Sequence, residues 1–409
     1  MSTGGIVAFR HRDFTIFWCG ALLSNTGSWL QSLTIPYVLF EITGSALWVG
    51  LVAVAQFVPM VFASPLGGSL ADNRDRRSVL LFTQSAMAVT AIALWSAWTL
   101  GMRAPLGLLA FLAVLGFLNG VNLPSWQAFV SDLVPRDDLL SAVTMNSLQF
   151  NAARAIGPGI AGVLLATLGP SWAFLINALS FIAVLVALMS IRTRTTRIPR
   201  EQDSGVIGQF LDAIRYTLAR PGLVLVVLVS ILVGVLGNPI FSFTVVFSGA
   251  VYHVGPIALG MLNMAFGVGA ILALPVVSGW RVQVRLSSLV RWGLIGYGIA
   301  MIAFGALPYY VVGLLALLAV GSCFLAVVSG VNTSLQMNVD EHFRGRVMAV
   351  RLMLFTLSFA VGGFVQGAIA DVVGAQRTVV GAGILLLVSA LVLGRHRGRL
   401  RLVLLDPVT

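Results

Sequence analysis

The chain alternates about a dozen apolar runs with short polar connections, and its positive charges fall on every second connection. The runs lie near 14–40, 46–71, 78–101, 106–132, 139–168, 171–191, 222–250, 257–280, 286–307, 309–338, 345–373 and 377–394. A bilayer crossing needs about 20 mostly apolar residues, and each run is of that order. Unpaired backbone polar groups are costly in lipid, so such spans close their hydrogen bonds internally, as helices. The expected fold class is all-α and integral to the membrane, with twelve transmembrane helices in two six-helix bundles.

Orientation follows from the arginines. All 25 basic side chains are arginine. With the N-terminus in the cytoplasm, all but Arg103, Arg154 and Arg377 fall in tails or loops on that side. Arg10 and Arg12 precede the first run. Arg74, Arg76 and Arg77 follow the second, and Arg136 follows the fourth. Arg192, Arg194, Arg197, Arg200, Arg215 and Arg220 sit in the middle connection. Arg281, Arg285 and Arg291 follow the eighth run, and Arg344, Arg346 and Arg351 the tenth. Arg395, Arg397, Arg399 and Arg401 close the chain. This is the positive-inside bias, and it places both termini in the cytoplasm.

Only 10% of residues are charged, far below the quarter or so of a soluble domain. The net charge of +11 therefore belongs beside anionic lipid headgroups and does not argue for nucleic acid. The first run is too long for a signal-peptide core and carries no cleavage site. Cys19 and Cys323 lie in apolar runs, without the spacing of a metal site or disulfide framework. No metal and no cofactor are expected.

The middle connection divides the chain. Residues 1–191 are expected as the N-terminal bundle, 192–220 as a cytoplasmic linker, 221–394 as the C-terminal bundle and 395–409 as a tail. The linker begins polar and ends with Ile207, Phe210, Leu211, Ile214 and Leu218 on one helical face. That face reads as an interfacial helix on the inner membrane surface. The two halves also repeat. Shifted by about 205 residues, Gly157, Gly162 and Gly169 fall on Gly362, Gly367 and Gly374; a shift of about 210 brings Gly50 and Pro65 onto Gly260 and Pro275. Repeated halves with a site between them are the plan of many secondary transporters.

After the second run stands G-G-S-L-A-D-N-R-D-R-R, Gly67 to Arg77. It resembles the loop signature of the major facilitator superfamily, keeping Gly68, Leu70, Ala71, Asp72, Arg76 and Arg77. It departs at Asn73 and Asp75, where the family usually has Arg and Gly. Gly68 is expected to let helices approach closely. Asp72 can accept from Arg76 or from a facing helix N-terminus. The resemblance implies that Asp72 docks near Gly345 and Arg346, that the arginine meets Asp132, and that this set clamps the inner side and favours the outward-open state. The counterpart in the second half, Gly279 to Arg285, has no acid, so the clamp is expected to be one-sided.

The fifth run contains N-A-A-R-A-I-G-P-G-I-A-G, Asn151 to Gly162. Its Gly157, Pro158 and Gly162 resemble the helix-bend motif of the superfamily's exporter branches. The stretch Pro124 to Leu188 is most similar to the group of enterobactin exporters and macrolide-efflux proteins. This resemblance implies export of an amphipathic small molecule (drug, siderophore or secondary metabolite) across a bacterial cytoplasmic membrane, with proton antiport. Uptake or flipping of a metabolite or lysolipid is the alternative on the same fold. The fourth run lacks the arginine of many proton-coupled relatives, and no histidine lies at membrane depth. Beyond cargo, coupling proton and bilayer no partner is expected, and the chain is expected to act as a monomer.

Arg154 lies well inside its run, about 21 Å along the helix at ~1.5 Å per residue. Either it attracts anions in a central cavity, or it is a structural arginine bonded to helix ends. Polar stripes mark further cavity candidates: Asn25, Ser28, Trp29 and Ser32; Asn119, Asn122 and Trp126; Asn146, Gln149 and Phe150; Ser329, Asn332 and Gln336. Such groups avoid lipid, which leaves substrate contact or helix–helix bonding. Phe241, Phe243, Phe266, Phe355 and Phe359 are candidates for an apolar wall. No paired acids, metal cluster or histidine–nucleophile set lies at membrane depth, so an enzyme is not expected.

Overall fold

The computed structural model describes residues 4–191, 206–237, 239–277 and 286–395. Ile207, Phe210, the polar part of the linker, the Gly279 to Arg285 loop and the arginines of the tail lie outside the described side chains.

The described residues are helical, with no strand among them. In chain order the helices are α1 (Arg12–Thr43), α2 (Ala46–Asn73), α3 (Arg76–Thr99), α4 (Pro105–Asp132), α5 (Leu139–Thr167), α6 (Pro170–Ser190), α7 (Val206–Leu218), α8 (Pro221–Leu232), α9 (Ile240–Ala250), α10 (Pro256–Val277), α11 (Leu286–Ala306), α12 (Tyr310–Asn338), α13 (Glu341–Val373) and α14 (Ala375–Arg395). Ten stretches are long and apolar enough to cross a membrane, with α8 and α9 forming one of them, Pro221–Ala250. The remaining two of the expected twelve are α1 and α5, of 32 and 29 residues. They are long enough but less apolar, because they carry the stripes of Ser, Thr, Asn and Gln.

Local chemistry sets the helix ends. Proline opens α4, α6 and α8, where a missing N–H costs nothing. Gly44, at φ 65°, closes α1 in the left-handed conformation. Gly169 and Gly374 have φ of 81° and 94°, so the repeat-related turns after α5 and α13 share a backbone that a Cβ would strain. Within the seventh run a π turn, Val233–Gly237, separates α8 from α9. Gln366 of α13 satisfies that break by donating to the carbonyls of Val235 and Leu236, at 2.6 and 3.1 Å.

Contacts group the chain into two compact units. The first comprises Met1–Gly44, Ala55–Glu201 and Gly255–Met264. Its core is built around Phe14, Phe17, Leu80, Phe129, Val184 and Leu188. Helix α1 packs on α6 and α5, and α3 on α6 and α4. Small residues let these backbones close up, as at Gly20 against Ala187.

The second unit comprises Ser45–Val54, Gln202–Val254 and Ala265–Thr409. Helix α11 packs on α12 and α14, with Gly298 and Gly383 facing one another. Helix α7 docks on the foot of α13: the Tyr216 ring stacks on Phe343 at 4.3 Å, and its hydroxyl donates to Asp340 at 2.8 Å. Arg220 lies over the same tyrosine at 3.6 Å. Ala213, Tyr216 and Thr217 are buried, whereas Leu211 and Leu218 of the expected apolar face are exposed. The docked face of α7 is thus not the Leu face.

The repeat holds in packing. A Cβ on Gly157 would meet Trp29 of α1 at 2.6 Å, and one on Gly162 the Pro256 carbonyl of α10 at 2.6 Å. In the second unit Gly362 faces Val235 of the π turn, and a Cβ on Gly367 would meet the Ala46 carbonyl of α2 at 2.8 Å. Repeat-related glycines therefore sit on repeat-related neighbours. Of the three motif residues on α5, Gly157 packs against α1, and Pro158 and Gly162 against α10.

Candidate functional site

Three groups of polar side chains stand out. The first lies on the loop between α2 and α3. Arg76 reaches Asp132 at the end of α4, with Nη1 at 2.8 and 2.9 Å from the two carboxylate oxygens. Its Nε donates to the Ala71 carbonyl at 3.2 Å. The pair is about three-quarters buried, at 27% and 22% side-chain exposure, so it is less screened than a surface bridge. Arg77 donates to the carbonyls of Leu188 and Met189, capping α6 at 2.7 and 2.9 Å. Asp75, a departure from the family signature, is the N-cap of α3 and accepts from Ser78 N–H at 2.9 Å. Asp72 is exposed and accepts no hydrogen bond among the described residues; Arg76 takes Asp132 instead.

One expectation is corrected here. A Cβ on Gly68 would meet nothing within 4 Å, whereas one on Gly67 would meet the Val121 carbonyl at 2.6 Å and that of Gly120 at 2.7 Å. The close helix approach belongs to Gly67, because consecutive residues point about 100° apart around a helix. Gly345 also has open space around it, and Arg346 lies 6.0 Å from the Phe343 ring, both in the first turns of α13.

The second group is in the first unit, on α1, α4 and α5. Asn25 donates to Gln149 at 3.3 Å, and Trp126 Nε1 to Asn146 at 3.4 Å. Trp29 meets Phe150 edge-on at 5.7 Å, and the Arg154 guanidinium lies 5.2 Å from the Trp29 ring. These contacts join Asn25 to Gln149, Trp126 to Asn146, and Trp29 to Phe150 and Arg154. Others are spent on helix–helix bonds. Asn122 is buried and accepts from Thr83 and Gln84 of α3 at 2.9 and 3.2 Å, so it binds a neighbouring helix and not a cavity. Ser28 and Ser32 donate to carbonyls of their own helix, Ser24 and Trp29. Trp126 is buried at 8% exposure and packs on Phe17 at 4.7 Å. Asn119 is half-buried on α4.

The third group is in the second unit and centres on Arg351. The charge pattern assigns Arg351 to a cytoplasmic loop, but it lies inside α13, about 15 Å from Glu341 at ~1.5 Å per residue, and is 3% exposed. Arg154 is therefore not the only deep arginine. Arg351 Nε donates to Ser230 at 3.1 Å and Nη1 donates to Asn332. A charge buried among packed helices is costly unless it is hydrogen-bonded or paired, so its partners matter. The signal was available: V-M-A-V-R-L-M-L-F continues the apolar run on both sides of the charge. Ser329 is half-buried and Gln336 exposed on the same α12 that supplies Asn332. Phe243 and Phe266 are buried at 2% and 1%, and Phe355 at 8%; Phe241, Phe266, Phe324, Phe355 and Phe359 form a connected chain of rings at 4.0 to 6.5 Å.

The sequence stripes also missed Asp371. It caps the start of α2, accepting from the Ser45 hydroxyl at 2.5 Å and from the backbone N–H of Ala46 and Leu47 at 2.6 and 3.3 Å. A carboxylate on the last turn of α13 has no period or motif that names its partner.

Helices of spanning length, a packing repeat and deep polar groups define a multi-pass membrane transporter of the major facilitator type. The chain belongs to the family described as transmembrane secretion effector, whose model matches residues 3–403. It is 26% identical to the multidrug efflux pump Tap of Mycolicibacterium fortuitum, over 88% of this chain and 89% of that protein. It is 24% identical to the staphyloferrin A transporter of Staphylococcus aureus, over 88% and 90%. Against the enterobactin exporter EntS of Citrobacter koseri it is 24% identical, over 90% and 87%. Among solved structures, a bacterial homologue of the lysosomal transporter Spinster, inward-facing and occupied, aligns with a TM-score of 0.76 at 15% identity over 100% of each chain. The nucleoside transporter NupG aligns at 0.73 and 14% identity, over 94% of this chain and 99% of that one.

Proposed function

We propose that the protein is a secondary active transporter that exports an amphipathic small molecule, a drug, siderophore or secondary metabolite, by alternating access with proton antiport. The observation that carries this reading is similarity along almost nine-tenths of the chain to proteins named as a multidrug efflux pump and an enterobactin exporter. Polar and charged groups gathered at depth on α1, α4 and α5 support a polar contact with cargo. In this reading Arg154, with Trp29 and Phe150 beside it, biases the cargo toward anionic or strongly polar groups. Asp72, Arg76, Arg77 and Asp132 act as a cytoplasmic clamp in the cycle. Both termini face the cytoplasm, and α7 lies at the inner membrane surface with Leu211 and Leu218 outward.

The test is accumulation of dyes and antibiotics in cells stripped of their own pumps. Expression of this chain is expected to lower accumulation and raise resistance, and collapse of the proton gradient to abolish both. Raised accumulation on expression overturns export in favour of uptake. Export that persists without the gradient overturns proton antiport.

A further inference from the structure

Arg351 carries chemistry that the clamp and the Arg154 group do not use. It is 97% buried by its 3% exposure, yet it is in none of the described ion pairs. Its described partners, Ser230 and Asn332, are both neutral. A guanidinium has five N–H donors, and these two bonds use two of them. Nη2 has no hydrogen-bond partner among the described residues. A buried cation whose described partners are all neutral is costly, and a bound anion would offset that cost.

The repeat sharpens this. Trp126 and Asn146 in the first unit occupy the places of Asn332 and Arg351 in the second, shifted by about 205 residues, and Asn25 likewise matches Ser230. Both sets are joined by hydrogen bonds, Trp126 to Asn146 and Arg351 to Asn332. The framework is the same, and a positive charge has been placed in only one copy. A purely structural bond between α12 and α13 does not need that charge, since its neutral counterpart joins α4 to α5.

The surroundings name the ligand class. Arg351 lies 5.3 Å from the Phe355 ring. Phe355 continues to Phe359 at 4.6 Å and to Phe324 at 6.5 Å, and Phe324 to Phe266 at 5.6 Å. A forked donor beside a row of rings suits a flat aromatic group bearing an oxyanion: the fork takes the oxygens and the rings take the apolar body. The geometry points to Arg351 as a binding residue for an aromatic carboxylate, sulfonate or phenolate on the cargo, held in place by Ser230 and Asn332. This rests on the export reading above and names its cargo class.

The test uses the purified full-length chain in lipid nanodiscs with two dyes of one xanthene frame: 5-carboxyfluorescein, an anion, and rhodamine 6G, a cation. Binding is read by fluorescence anisotropy and folding by thermal melting. The wild type is expected to bind carboxyfluorescein. Arg351→Gln weakens that binding about tenfold or more, Arg351→Lys less, and rhodamine 6G affinity stays within about twofold. Unchanged carboxyfluorescein affinity in a folded Arg351→Gln protein, an equal fall for both dyes, or a wild type that does not bind the anion overturns the assignment. Arg351→Lys serves if the glutamine variant fails to fold, since loss of the fork must still weaken the anion selectively. Dye efflux by cells separates the two readings. No export of any dye removes the export reading, whereas export with Arg351→Gln affinity unchanged removes only the role of Arg351.

Discussion

Asp75, Arg76 and Arg77 show how one short motif is divided among three jobs. Asp75 caps α3, Arg76 bridges to Asp132, and Arg77 holds the end of α6. Only the second is a pair of opposite charges. Removing one partner leaves the other partly buried and unpaired. Asp132→Asn should therefore lower stability by about 1.5–3 kcal/mol, the range for hydrogen bonds to charged groups. Thermal melting in detergent checks it, and an unchanged midpoint means the pair is screened. Deeper in the chain, Arg154→Gln should reduce export of anionic cargo far more than of neutral cargo, while Arg154→Lys keeps the charge and loses the planar fork. Equal loss for both cargo classes in well-expressed variants makes the arginine structural.

Element packing is decided by which face of a helix a small residue occupies. Gly67 and Gly68 are neighbours in sequence, but only Gly67 touches α4. Gly67→Leu is expected to overpack α2 against α4 and cost about 1–3 kcal/mol, whereas Gly68→Leu is tolerated. Paired melting curves test the contrast; equal effects would place the contact elsewhere. The start of α2 depends on Asp371, which supplies two acceptor atoms to N–H groups that have no partner inside the helix. Asp371→Ala should cost about 0.5–2 kcal/mol and speed hydrogen exchange at Ala46 and Leu47. Exchange at wild-type rates there would show that water replaces the cap.

At the scale of the whole molecule, the proposed topology predicts that cysteine probes at Arg103 or Arg377 react with an impermeant reagent from outside, and probes at Arg74 or Arg397 do not. The reverse pattern overturns it. The positive-inside bias, the twelve-helix plan and the repeat were all legible in the sequence, because each is a linear periodicity imposed by a slab of fixed thickness and by a charged inner face. Asp132 was named as an arginine's partner only through the family resemblance, since it lies 56 residues from Arg76 and outside the motif. Roles set by rotation about a helix axis were not legible. Asn122 looked like a cavity residue and bonds to α3 instead. Gly68 yielded its contact to Gly67, and Arg351 was counted with the loop charges although α13 carries it inside. Hydropathy measures how apolar a stretch is and says nothing of which side each residue faces. That direction, and with it the choice between a charge that orients the chain and a charge that waits for an anion, arises only when the helices pack.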